Sequence, residues 1–129
     1  MRITAIQRLT SSEFSLLENP GFTSEQIVWP SNAPGAHVTI TRVRMQPGAI
    51  SDRHSHTVSE QTWLIEEGEA TLLMDGGGRA PLHVGDVVRT PPGEVHGVKN
   101  TGPRQFVYLA ITSPPQDFSA AYQHRKDDR

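Results

Sequence analysis

Six histidines and no cysteine bound the chemistry open to this 129-residue chain. Without thiols there is no disulfide staple, thiolate metal site or sulfur nucleophile, so any metal must be held by nitrogen and oxygen. Two of the histidines form His54-Ser55-His56. In a strand, residues i and i+2 leave the same face, and this spacing lets two imidazoles converge on one ion without distorting the backbone. A third, His96, follows Pro91, Pro92 and Gly93, which force a turn, and it is expected to enter the next strand. Gln61 opens another candidate strand, whose period puts Trp63 and Ile65 on its face. If that face is interior, the Gln61 amide joins the imidazoles. His37, His83 and His124 stand in no comparable context.

The elements that must position these residues read as short strands. Eleven Gly and ten Pro fall between segments rich in Val, Ile, Thr and Leu, the punctuation of many strands and tight turns. The candidates are Val38 to Met45, Gln61 to Glu66, Glu69 to Met74, Val87 to Thr90, Gly97 to Asn100 and Phe106 to Thr112, with a weaker one at Gln26 to Trp29. Their number and spacing predict an all-β sandwich or barrel. Asp75-Gly76-Gly77-Gly78 and Glu66-Glu67-Gly68-Glu69 supply tight turns between strands. Ser113-Pro114-Pro115 should stop the last strand, after which Gln116 to Tyr122 reads as a short helix and Gln123 to Arg129 as a charged tail that frays. The first 25 or so residues show little pattern. Arg42 and Arg44 alternate with Thr41, Val43 and Met45 and so belong on the outer face.

With these segments in place, two stretches resemble the motifs of the cupin superfamily, in its small single-domain conserved-barrel (RmlC-like) form. Gly48 to Gly68 is similar to the first motif, in which His-x-His is followed by a Glu and a Gly. Gly85, Pro91, Gly93, His96 and Asn100 occupy every defined place of the second. The likeness covers about residues 38 to 113. It implies a double-stranded β-helix, a jelly-roll-like barrel, as a single domain over 1–129, with an N-terminal arm at 1–37 and a C-terminal tail at 114–129. It also implies one divalent metal ion held by His54, His56, Gln61 and His96, and a homodimer. There is one departure from the pattern: the position where the family usually carries Glu holds Gln61. Glu60 is adjacent, but a shift of one residue turns a strand side chain to the opposite face, so Gln61 is preferred unless a bulge reverses the choice.

Three neutral imidazoles and a neutral amide would leave the full charge of a divalent ion uncompensated, which favours an anionic ligand in the open positions. Imidazole-rich sites suit Zn, Cu, Fe and Ni, and the amide oxygen keeps Mn open. The expected function is that of a metal-dependent enzyme on a small, anionic, oxygenated organic molecule, of dioxygenase, isomerase or lyase type. The alternative is a non-catalytic metal-containing barrel that binds or senses a small molecule. No general base is marked by motif; Glu60 and Tyr108 are the candidates for proton transfer. A net charge of -2 gives no basic field for nucleic acid. No stretch approaches the roughly 20 apolar residues of a membrane span, and residues 1–16 show no secretory pattern, so a cytoplasmic protein is expected.

Overall fold

A computed structural model describes residues 6–125. Its eleven strands are β1 (Ser15–Asn19), β2 (Phe22–Val28), β3 (Thr39–Met45), β4 (Ile50–His54), β5 (Glu60–Glu67), β6 (Ala70–Met74), β7 (Arg79–Leu82), β8 (Val87–Thr90), β9 (His96–Lys99), β10 (Phe106–Ser113) and β11 (His124–Arg125). They form two antiparallel sheets, one of seven strands in the order β11-β1-β2-β3-β10-β5-β8 and one of four in the order β4-β9-β6-β7. Among the described residues no helix is long and apolar enough to cross a membrane.

Each central strand of the larger sheet turns alternate residues inward, and those residues change character along its length. In β3 the buried positions run Thr39, Thr41, Val43, Met45; in β10 they include Thr112, Ala110, Tyr108 and Phe106; in β5, Gln61, Trp63 and Ile65. The register aligns these gradients, because Thr112 lies beside both Thr39 and Gln61 while Phe106 lies beside Met45. One end of the space between the sheets is therefore packed with Met45, Phe106, Ile65, Leu82 and Val98, and the other is polar. Complete burial of each large apolar side chain contributes about 1.5–3 kcal/mol, so the closed end carries the stability. Arg42 and Arg44 point outward as expected; Arg42 pairs with Glu66 at 2.8 Å and both reach Glu25.

Three local readings change. Gln116 to Tyr122 is not a helix: only Ser119–Ala121 makes a single 3-10 turn. Asp117 Oδ1 accepts from the Ser119 backbone N–H and hydroxyl at 2.9 and 2.7 Å, a local turn that competes with helix formation in so short a segment. The charged tail, expected to fray, pairs with β1 at His124 and Arg125, and its last four residues lie outside the described region. Residues 15–28 of the weakly patterned N-terminal segment supply two strands of the seven-stranded sheet.

The segment 48–56 runs antiparallel to 93–100. Gly48 N–H donates to Asn100 O and Asn100 N–H to Ala49 O, both at 2.9 Å, and Ile50, Ser51 and His54 pair with Lys99, Val98 and His96. The ladder shifts register between Ser51 and His54, and Gly97 stands opposite that irregularity. A Cβ at Gly97 would lie 2.7 Å from Ser51 O and 2.9 Å from Arg53 N, both backbone atoms that cannot swing aside. Gly97→Ala should therefore destabilise the protein by about 1–3 kcal/mol, as overpacking does. A thermal melt reads this directly, and a midpoint equal to that of the unmodified protein would show that β4 moves aside freely.

Candidate metal centre

The paired segments 48–56 and 93–100 bring three histidines together. His54 closes β4 and faces His96, the first residue of β9, across the ladder. His56 lies beyond the end of β4 in the following loop rather than on the same strand as His54, which corrects the expectation of a shared strand face. Its loop is held by the turn of the second motif, since Gly93, at φ +83°, donates its N–H to His56 O at 2.7 Å. The ring centroids are 4.5 Å apart for His54 and His96, 5.0 Å for His54 and His56, and 5.1 Å for His56 and His96. One nitrogen of each lies within 4.8 Å of the others, a grouping that can hold a metal ion.

The hydrogen bonds prepare these nitrogens for that role. His54 Nδ1 is 2.8 Å from Asp52 O, and His96 Nδ1 is 3.0 Å from Glu94 O. A carbonyl has no hydrogen to give, so each Nδ1 carries the proton and each Nε2 presents its lone pair, the arrangement found behind metal-bound imidazoles. The Nε2 atoms of His56 and His96 are buried without a hydrogen-bond partner. Buried polar atoms are rarely left so, and lone pairs of this kind can bind a cation as well as accept a hydrogen bond. Burial pushes the His56 pKa down to about 4, helped by the neighbouring His54 and His96 and opposed by Gln116. Burial also lowers His96, against the upward pull of the Glu94 carbonyl. Both rings are thus neutral at neutral pH, as ligation requires.

A cavity of about 820 Å³ opens beside His54 and His56; Gln61, Trp63 and Tyr108 also line it. Gln61 is buried with its amide fully oriented: Trp63 Nε1–H donates to Oε1 at 2.8 Å, and Nε2 donates to Thr112 Oγ1 at 2.9 Å. One lone pair of Oε1 remains. Glu60 turns the other way and pairs with Arg89 at 2.9 Å, outside the cavity. Tyr108 lies 4.4 Å from Trp63, ring to ring, and burial raises its phenol well above the usual range, with nearby Tyr122 adding to the effect. It can donate a hydrogen bond but cannot serve as a base near neutrality. Asn100, fully buried, donates to Met45 O and Arg104 O and accepts from Gly102, tying the turn after β9 as a structural residue.

Other cavity residues carried no sequence signal. Ser24 comes from the unpatterned N-terminal segment, and Gln116, Phe118 and Tyr122 from the stretch read as a helix. Phe118 stands edge-on to His56 with centroids 5.8 Å apart.

Two antiparallel sheets packed as a barrel, with three clustered imidazoles beside a cavity, define the class: a β-barrel with a metal-capable site. Residues 41–112 match the cupin domain profile, more than half of the chain, and the protein belongs to the cupin family. It is 33% identical over 70 residues to an oxalate-binding protein of Thermotoga maritima, covering 54% of this chain and 57% of that one. It is 28% identical over 94 residues to gentisate 1,2-dioxygenase 1 of Aquipseudomonas alcaligenes, covering 73% of this chain but 25% of that one. The chain thus spans little more than half of the first relative and a quarter of the second. A double-stranded β-helix protein of Klebsiella pneumoniae shares the fold with a TM-score of 0.71 at 22% identity, over 87% of this chain and 93% of that one.

The depressed His56 pKa has a stability consequence. An unfolded imidazole takes up its proton near 6.5, whereas folded His56 does so only near 4. Between those values the unfolded chain binds more protons, so folding weakens as pH falls through that window. Metal-free protein should unfold at lower urea at about pH 5 than at about pH 7, and His56→Ala should narrow the difference. Equal midpoints in the unmodified protein would contradict the depressed value.

Proposed function

We propose that this protein is a metal-dependent enzyme of one cupin domain over residues 1–129, acting on a small, anionic, oxygenated organic molecule. The observation that carries the reading is the set of lone pairs in the histidine cluster, buried and unpartnered on His56 and His96, with no Asp or Glu in the cluster among the described residues. Gln61 adds the remaining lone pair of its carbonyl, so the ligand set His54, His56, Gln61 and His96 is neutral. A divalent ion held there (Fe, Mn, Zn, Ni or Cu) supplies a Lewis acid whose uncompensated charge draws an anion. The protein's own groups orient and exclude: Trp63 and Thr112 fix the Gln61 amide, Phe118 shields His56, and the protonated Tyr108 is a donor toward substrate oxygen.

A second reading, a non-catalytic binding barrel, is favoured by the oxalate-binding relative. A substrate screen run in air and then under argon separates oxygen-dependent turnover, oxygen-independent turnover and binding alone. Elemental analysis of protein purified without added metal names the ion. His54→Ala and His96→Ala should lose most of the metal, while Gln61→Ala should weaken affinity less. Gln61→Glu should tighten metal binding by adding a charge and loosen anion binding. Full metal occupancy in both histidine variants would defeat the assignment, and Gln61→Glu with weaker metal binding would argue for Glu60 instead.

A homodimer is part of the same proposal. Leu64, Val84 and Val87 are exposed beside β8, an edge strand, and an apolar edge of this kind is commonly covered by a partner. Light scattering should give twice the chain mass; a monomer at micromolar concentration would remove this element.

A further inference from the structure

The cavity has a second wall, chemically unlike the imidazole one. Residues 116–123 run over the barrel mouth as a strap fastened at both ends. Thr39 Oγ1 donates to Gln116 O and accepts from Gln116 N–H, both at 2.9 Å. At the other end Asn19 Nδ2 donates to Ala121 O at 3.1 Å, and Gln123 N–H donates to Asn19 Oδ1 at 2.9 Å. Between these anchors Phe118 covers His56, and Tyr122 packs edge-on against Phe22 with centroids 5.7 Å apart. The strap therefore carries one aromatic ring at the imidazoles and another on the wall formed by β2. Three residues separate them, the three of the 3-10 turn, so their backbones stand on the order of 8 Å apart.

Behind Tyr122 lies a directed chain of donors. Gln26, completely buried, donates from Nε2 to Ser24 Oγ at 2.8 Å and to Ser24 O at 3.1 Å. The Ser24 hydroxyl has accepted, so its own hydrogen is free to point onward, and it faces the Tyr122 phenol. With Ser24 as donor there, Tyr122 would keep its own O–H to give. Ser24, Tyr108 and Tyr122 all line the cavity. A space of about 820 Å³ is within the range that encloses a drug-sized ligand and far exceeds what a two-carbon dianion fills.

We propose that Tyr122, oriented by Ser24 and Gln26, is a specificity-determining anchor whose hydroxyl binds an oxygen at the end of the substrate remote from the histidines. The barrel then selects a ring-sized acid with a second oxygen substituent over a short dicarboxylate. This rests on the reading of the histidines as a metal centre that takes the acidic end of the substrate. Aromatic side chains at Phe22, Trp63, Tyr108, Phe118 and Tyr122 give the cavity flat walls suited to such a ring.

Calorimetric titration of the zinc-loaded protein with salicylate and with 2,3-, 2,4- and 2,5-dihydroxybenzoate tests this, because the four probes share one carboxylate–phenol head and differ only in the remote hydroxyl. At least one dihydroxy isomer should bind about tenfold tighter than salicylate. Tyr122→Phe, which keeps the ring against Phe22, should abolish that advantage while leaving salicylate unchanged, and Ser24→Ala should reduce it. An advantage that survives in Tyr122→Phe, the lack of any advantage in the unmodified protein, or an equal loss for all four probes would overturn the anchor while leaving the metal-centre reading in place. Failure of every probe to bind the zinc-loaded protein would remove the metal-centre reading and the anchor with it.

Discussion

The site exists because residues 48–56 pair along their length with residues 93–100. The contacts run from Gly48 and Ala49 at Asn100, through the His54–His96 pair, to the Gly93 N–H on the His56 carbonyl. Forty-one residues of chain separate the two histidines that meet across this ladder, and only the ladder decides that they face one another. Its irregularity between Ser51 and His54 is accommodated by the absent side chain at Gly97. Residues with no chemistry of their own therefore set the angle at which the imidazoles meet.

The same barrel separates stability from reactivity along one axis. Apolar side chains fill one end, where Met45, Phe106 and Val98 are fully buried, and hydroxyls, amides and imidazoles occupy the other. Removing water from His56 and His96 holds those two rings neutral, and that is the form with lone pairs to offer. A buried, unsatisfied polar set of this kind is destabilising by itself. The packed end offsets it, so the chain retains a polar pocket without losing its fold.

How much of this was legible in the sequence follows from the physics of each part. The three histidines were visible because the turns that place them need Gly and Pro at set distances, and those residues mark the chain. Gln61 could be told from Glu60 by the two-residue period of a strand, and their opposite environments in β5 agree with that period. Strands β1 and β2 were nearly invisible because their buried positions include Ser15, Ser24 and Gln26, so burial there leaves no hydrophobic alternation. Strand β4 was hidden for a related reason: Asp52, Arg53 and His54 are exposed beside the open cavity. The strap reads as a helix because its spacing of apolar residues admits one, whereas the local Asp117 turn and the tertiary ties at Thr39 and Asn19 leave it only the 3-10 turn at Ser119–Ala121.

The place of Trp63 gives the molecule an optical property. Its indole N–H is bonded to the Gln61 carbonyl, and its ring stands edge-on to His96 at 5.7 Å, so it touches two of the groups proposed to hold an ion. Indole emission shifts with the field at its nitrogen and is quenched by nearby imidazolium or a paramagnetic ion. Trp29, the second tryptophan, is buried away from the cavity lining and supplies a steady background. The barrel thus contains its own fluorophore for following occupancy of its centre, with no label added.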